Sequence, residues 1–371
     1  MKKYLYIILT SFVLVGCWDQ HLMKDAILIR TITFDNTEDE KMELGVLLPT
    51  YNKSQNDSSQ MNTQSIILSS VSNTPREGRM KLNREIPGRL DASKNKLILF
   101  GEEFAKGDIY PPLDVIWRDP RSSLSAKLAV VKGSARNILN IKVRAESDIS
   151  LNILSLITSN EVTTIIPKQS IQTLASEILD PGEDFVLPLL SFSETEGTID
   201  ITGLALFNER KVTGDLSSED TTLFLLLADK MGKEARFTLK VDDDEEYDMN
   251  NYITVNVEKS DRKLKVKVNQ SGDITVDLNL GLRLIVEEYP KGNVPKDRNE
   301  LNKKLSNVLS ENANKIIKQL QEANCDGFGI GRQLFAFHND VWKRKEQDKY
   351  FQEIKFITNV NAEIVQHGIV K

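Results

Sequence analysis

The side chain with the most definite chemistry is the Cys17 thiol, which closes the run Leu14-Val15-Gly16-Cys17. A cysteine sulfur is nucleophilic as its thiolate, and its neighbours have physical jobs. Leu14 is apolar and Gly16 small, so the thiol stands at the end of an apolar run beside an unobstructed backbone. Other candidates are sparse. A hydrolase needs a nucleophile beside a base, or two carboxylates with separated pKa values. His21, His338 and His367 stand far apart, and no Gly-x-Ser-x-Gly elbow occurs. His338, inside Phe335-Ala336-Phe337-His338, reads as structural. Gly327-Phe328-Gly329-Ile330-Gly331 lacks the G-x-G-x-x-G spacing of a dinucleotide site and follows a helical pattern, so it reads as a helix C-terminal turn. The run Asp242, Asp243, Asp244, Glu245, Glu246 suggests calcium but lacks the glycine that turns an EF-hand loop. It reads as a solvated hairpin tip. No catalytic residue, metal or cofactor is expected.

The composition agrees. With 48 Lys and Arg against 54 Asp and Glu, the chain of 371 residues has a formal charge of −6, which argues against general affinity for nucleic acid. Three His and two Cys at scattered positions leave little for a zinc site. Lys2 and Lys3 open the chain, and the apolar run Tyr4 to Val15 follows. A membrane-spanning helix needs about 20 residues, so this run fits an export leader. Together with Leu14 to Cys17 it resembles the lipobox of bacterial lipoproteins. Residues 1–16 are therefore expected to be a signal peptide, and the mature chain to begin at an acylated Cys17. Two acyl chains anchor stably where one binds reversibly. A thioether at Cys17 leaves Cys325 without an intramolecular disulfide partner, so the exported fold must stand on its core.

Something must carry this tether, and the remaining residues read as an α+β protein. Ala26 to Phe34, Glu43 to Thr50, Ser65 to Ser70, Lys96 to Phe100 and Ala126 to Lys132 read as strands, with Asn52 to Gln64 a loop. Thr74-Pro75-Arg76-Glu77 has a helix-start pattern. Trp117-Arg118-Asp119-Pro120-Arg121, in a Pro-punctuated stretch, reads as a turn. Helical patterns cover about Asp148 to Ser159 and Gln169 to Leu179. A boundary at Glu194 to Gly197 separates residues 17–195, an α+β region, from residues 196–371. Beyond it come a hairpin around Asn208-Glu209-Arg210 and a helix capped by Ser217 with Asp220 and running to about Met231, whose Leu223 to Ala228 cluster reads as core. Ile253 to Val257, Leu264 to Val268 and Ile274 to Val286 alternate apolar and polar residues, which marks an antiparallel sheet with one buried face. A helix from about Pro295 to Ala323, striped by Leu301, Leu305, Val308, Leu309, Ile316, Ile317 and Leu320, is expected to cover it. Phe356 to Ile364 supplies a last strand. The expected C-terminal domain is a long-stranded antiparallel meander under a long helix.

Several segments in order resemble one family. The lipobox runs into Cys17-Trp18-Asp19. Pro87-Gly88-Arg89-Leu90, Leu99-Phe100-Gly101 with Phe104-Ala105-Lys106-Gly107, Leu113-Asp114 with Arg118-Asp119-Pro120, and Val131-Lys132-Gly133 follow. Gly203-Leu204-Ala205-Leu206-Phe207, Gly214-Asp215-Leu216, Asp326 to Gly331 and Trp342 complete the series. Tyr350-Phe351 stands where the family often shows a tryptophan. The likeness covers nearly the whole chain, and it is to the Ger(x)C lipoproteins, the C subunits of spore nutrient germinant receptors. The resemblance implies a non-enzymatic subunit, lipid-anchored on the outer face of the spore inner membrane beside two integral membrane subunits, in a receptor for amino acids or sugars. It also implies three α+β domains, with residues 51–104 as a small inserted one. Only Cys17 carries over as a site, for lipid attachment. The alternative is a solute-binding lipoprotein of a transporter. Such proteins usually alternate strands and helices around a cleft, which the meander argues against. A cell-wall hydrolase would need a catalytic constellation that the sequence lacks.

Overall fold

The computed structural model describes residues 26–52, 62–141, 148–193, 195–243, 245–292, 294–344 and 349–366. The first two strands are β1 (Ala26–Leu28) and β2 (Thr31–Asn36). What reads in sequence as one strand from Ala26 to Phe34 thus breaks at Ile29-Arg30, and its halves join different sheets. Next come β3 (Met42–Asn52), β4 (Asn62–Ser72), α1 (Pro75–Leu82), β5 (Arg89–Asp91) and β6 (Leu97–Gly101). The strands β3 and β4 pair as far as Asn52 with Asn62, so the loop expected over Asn52 to Gln64 is strand at both ends, and its middle lies outside the described residues. Helix α1 starts as its sequence predicts, with the Thr74 hydroxyl accepting from the Glu77 amide at 3.2 Å.

Helices α2 (Glu102–Ala105) and α3 (Tyr110–Arg118), strand β7 (Lys127–Val131), then helices α4 (Ala135–Ile138), α5 (Ile149–Val162) and α6 (Ile171–Ile178) lead to β8 (Val186–Ser193), β9 (Thr198–Asn208) and β10 (Lys211–Ser217). Helix α3 occupies part of the Pro-punctuated stretch because Pro111 and Pro112 fall in its first turn, where a missing N–H costs nothing. Trp117 and Arg118 are its last residues, so only Asp119 to Arg121 form the expected turn. One eight-stranded sheet has the order β10-β9-β8-β7-β6-β2-β3-β4. The neighbours β2, β6, β7 and β8 are parallel, and the flanking pairs are antiparallel. The boundary expected at Glu194 to Gly197 coincides with the turn joining β8 to β9, which pair as a hairpin, so this sheet runs across it.

Side chains alternate between the two faces. Ile98, Phe100, Val130 and Phe34 pack under Leu82 of α1, Leu113 of α3 and Leu174 of α6. Leu97, Leu99, Ala129 and Val131 point the other way, into a second core that continues through α7 (Ser218–Leu227) into the C-terminal half. Leu223 to Leu227 are all buried, as expected of core, because α7 lies between the two sheets. It stops at Leu227, short of Met231, and the Ser217 hydroxyl bonds the Asp220 carboxylate at 3.1 Å and no backbone amide.

The C-terminal sheet has the order β11-β12-β13-β14, from β11 (Arg236–Lys240), β12 (Tyr252–Val268), β13 (Ile274–Glu288) and β14 (Lys355–Gln366). The first three form the expected antiparallel meander. Strand β14, however, runs parallel to β13, which needs a long crossover. That crossover is α8 (Val294–Glu322), α9 (Ile330–Phe337) and α10 (Asn339–Arg344). Helix α8 buries Leu301, Leu305, Leu309, Ala313, Ile316, Ile317 and Leu320, while Val308 is half-buried.

Helix α8 also closes the sheet's open edge. Asn302, Ser306 and Ser310, four residues apart, accept from the amides of Ile364, Ala362 and Val360, two apart, at 2.9 to 3.0 Å. Four helical residues rise about 6 Å and two strand residues about 6.6 Å, so the side chains stand in for a neighbouring strand. An uncovered edge invites pairing with other chains. Ser306→Ala with Ser310→Ala is expected to cost about 1–3 kcal/mol in urea unfolding and to promote self-association on size exclusion.

Candidate functional site

Cys17 and His21 lie outside the described residues, and so does His367. The described chain begins at Ala26, which pairs with Arg89 in the parallel β1–β5 ribbon. Cys325 is free and fully buried, and burial pushes its thiol well up, so it is unreactive. The half-buried His338 caps the end of α9, its amide donating to Leu334 O at 2.8 Å. The acidic run is solvated at Asp243 and Glu246, as expected, while Asp242 and Glu245 are half-buried in ion pairs. Asp242 pairs with Lys304 at 2.5 Å and Lys291 at 3.3 Å, Glu245 with Lys291 at 2.6 Å, and Asp243 with Lys240 at 2.7 Å. Lys304 stands on α8, so the run ties the sheet to the helix. Among the described residues, no three His, Cys, Asp or Glu side chains are grouped to hold a metal ion.

The most concentrated polar chemistry lies where both halves meet. Helix α8 is ended by Asn324, in the left-handed region at φ 51°, with the Cys325 amide donating to Leu320 O at 2.9 Å. The glycines Gly327 to Gly331 come after this stop, so they are not the helix's C-terminal turn. They wrap the fully buried Asp326 carboxylate, which accepts from the amides of Phe328 at 3.3 Å and Gly331 at 2.7 Å and from the Tyr350 hydroxyl. A methyl group at Gly331 would overlap Gly182 Cα at 2.8 Å, which explains the glycine there.

Asp184, just before β8, completes the junction. Its carboxylate accepts from the Asp326 amide at 2.8 Å and from the Glu209 amide at 2.7 Å, at the tip of the β9–β10 hairpin. Its own amide donates to Asp326 O at 3.1 Å, and the Arg332 amide to Gly182 O at 2.8 Å. Asn208 and Thr213 of the hairpin donate to Asn324 O at 2.7 Å and Ala323 O at 2.6 Å. A cleft of about 670 Å³ opens above, its rim including Asp108, Glu177, Asp180, Glu183 and Arg210. With both Asp184 oxygens engaged by amides and Asp326 sealed, the arrangement holds three segments together and presents no nucleophile. Sequence reasoning missed it because Asp184 and Asp326 lie 142 residues apart. The glycine run beside Asp326 was the available signal.

Burial pushes Asp184 up to about 7 and raises Asp326, against the pull of their amide partners. Between 3.8, the ordinary value, and about 7 the folded state binds a proton at Asp184 that the unfolded chain does not. This site therefore makes stability fall as pH rises through that window. Asp184→Asn is expected to remove about 1–2 kcal/mol of that fall between pH 5 and pH 8, after allowance for solvent screening, in denaturant melts.

Two family models divide this chain almost completely. The spore germination protein N-terminal domain matches residues 19–192, and the spore germination B3/GerAC-like C-terminal domain matches residues 202–368. These two matches make the chain a spore germination protein. The chain belongs to the Ger(x)C family, the C subunits of germinant receptors. It is similar to spore germination protein GerQC of Bacillus cereus, 21% identical over the whole of both chains. It also resembles the putative spore germination protein YfkR of Bacillus subtilis (strain 168), 21% identical over 89% of this chain and 88% of that one. The crystal structure of the GerBC protein shares the fold at a TM-score of 0.58, 15% identity, and 90% and 96% coverage of the two chains.

Proposed function

We propose that the chain is the lipid-anchored, non-enzymatic C subunit of a spore germinant receptor. A diacylglyceryl thioether at Cys17 holds it on the outer face of the spore inner membrane. There it assembles with two integral membrane subunits and is needed for the nutrient response that triggers germination. The observation that carries this reading is the match of both family models in order, behind the sequence Leu14-Val15-Gly16-Cys17. Confinement to a surface raises effective concentration toward neighbours without new contacts, so a tethered subunit needs only modest interfaces. Among the described residues no helix is long and apolar enough to cross a membrane, and the proposed anchor is the lipid on Cys17. Affinity purification of the tagged protein from detergent-solubilised spore membranes should bring down both multispanning subunits. Recovery of the protein without either would count against this reading.

The solute-binding alternative gains one observation, the run of parallel strands β2, β6, β7 and β8 beside a cleft. Against it, those strands form the middle of one sheet flanked by antiparallel pairs, and a single core continues from it into the C-terminal sheet. Calorimetric titration with amino acids and sugars is expected to show no saturable heat.

A further inference from the structure

The charge of this acidic chain is unevenly spread. From Pro75 to Lys96, across α1 and β5, seven Lys and Arg stand against three Asp and Glu, a local +4 in a chain of −6. Arg76, Met80 and Arg84, four residues apart, form an exposed stripe along and just past α1, with Met80 56% exposed. The stripe 75–79–83, one step round, faces inward: the Arg79 guanidinium donates to Leu90 O, and the Leu90 amide donates to Asn83 Oδ1 at 2.9 Å. This fixes β5 beside α1. Exposed Arg89, Lys94 and Lys96 extend the basic surface. The exposed Met80 sits between cations that can pair with anionic headgroups.

The place in the fold supplies the second observation. Ala26, where the described chain begins, is the register partner of Arg89. Nine Cα steps separate it from Cys17, at most about 30 Å of chain. Attraction to an anionic leaflet fades within about one Debye length, and a tether this short lets the surface reach that zone. We infer that the face made by α1 and β5 is a second membrane contact, docking on anionic phospholipid headgroups beside the Cys17 anchor and fixing the orientation of the subunit on the bilayer. This rests on the anchored reading for its location, although the charge pattern itself is independent of acylation.

The test uses the mature chain from residue 17 carrying Cys17→Ala, so that neither the leader nor an acyl group contributes. Its partition onto sedimenting vesicles is measured with equimolar phosphatidylglycerol and phosphatidylcholine, and with phosphatidylcholine alone. Each basic side chain near an anionic surface is worth about fivefold. Binding to the anionic vesicles at low salt should therefore exceed binding to the neutral ones by about tenfold or more, and high salt should abolish the difference. Arg76→Gln with Arg84→Gln and Lys94→Gln should lose about tenfold or more. Lys303→Gln with Lys318→Gln and Lys355→Gln makes the same change in net charge on exposed positions of α8 and β14 and should leave binding within about twofold. Equal binding to both vesicles, or equal losses in the two triple variants, would overturn the inference. Failure here with an acylated Cys17 in native protein would leave the anchor standing. Anionic binding with an unmodified Cys17 would do the reverse.

Discussion

A Cys17→Ala protein is expected to move almost wholly from the membrane fraction to the soluble fraction of spore extracts. Spores carrying it as their sole copy should lose the absorbance drop that follows nutrient addition. The size of the effect follows from chain chemistry. Each buried methylene contributes about 0.8 kcal/mol, and a second acyl chain turns marginal attachment into a stable anchor. No described helix offers a substitute span. Removing the sulfur removes the acyl share of the holding energy, the largest in the proposed anchor, and leaves only the weaker, salt-sensitive contacts of the folded body, so the fractions are separated at high salt. Fractionation by immunoblot reads the first outcome and germination assays the second. A variant that stays with the membrane, or germinates normally while soluble, would contradict the anchored reading.

The second large effect is on stability. Phe224, on α7, is 1% exposed, and its ring lies 5.9 Å from that of Phe328 in the loop after α8. A Cβ at Gly327 would come within 2.9 Å of the same ring, so the glycine leaves room for the phenylalanine. Phe224→Ala should cost about 3–5 kcal/mol in urea unfolding, from lost transfer energy and the cavity left behind. That is a large fraction of the stability of an ordinary domain. Gly327→Ala should destabilise the natural protein but cost little in the Phe224→Ala background, giving a clear coupling in a double-mutant cycle. Equal costs in both backgrounds would mean that the ring does not fill that space.

Much of this fold is legible in the chain because its parts obey local rules. The alternation from Ile253 to Val286 and the stripe on α8 both reflect one buried face, which sequence records directly. Direction is different. The pattern Phe356 to Ile364 is the same whether β14 runs parallel or antiparallel to β13, and only the crossover between them distinguishes the two. The break at Ile29-Arg30 is hidden because both flanks are apolar strand formers. Long-range polar pairing is hidden as well. Asp242 meets Lys304 across 62 residues, and Asp184 meets Asp326 across 142. Nothing in the spacing of a lone carboxylate shows which distant amide or ammonium it will meet.

The proposed role of Cys17 rests on a short linear motif, Leu14-Val15-Gly16-Cys17, whereas the α1–β5 face needs the fold to bring Arg89 beside Ala26. The central claim is best tested by the intact mass of the N-terminal peptide of the protein isolated from dormant spores. The account predicts a chain starting at Cys17 with a diacylglyceryl group on its sulfur. A free thiol at that position, or a chain that still carries Met1 to Gly16, would contradict it.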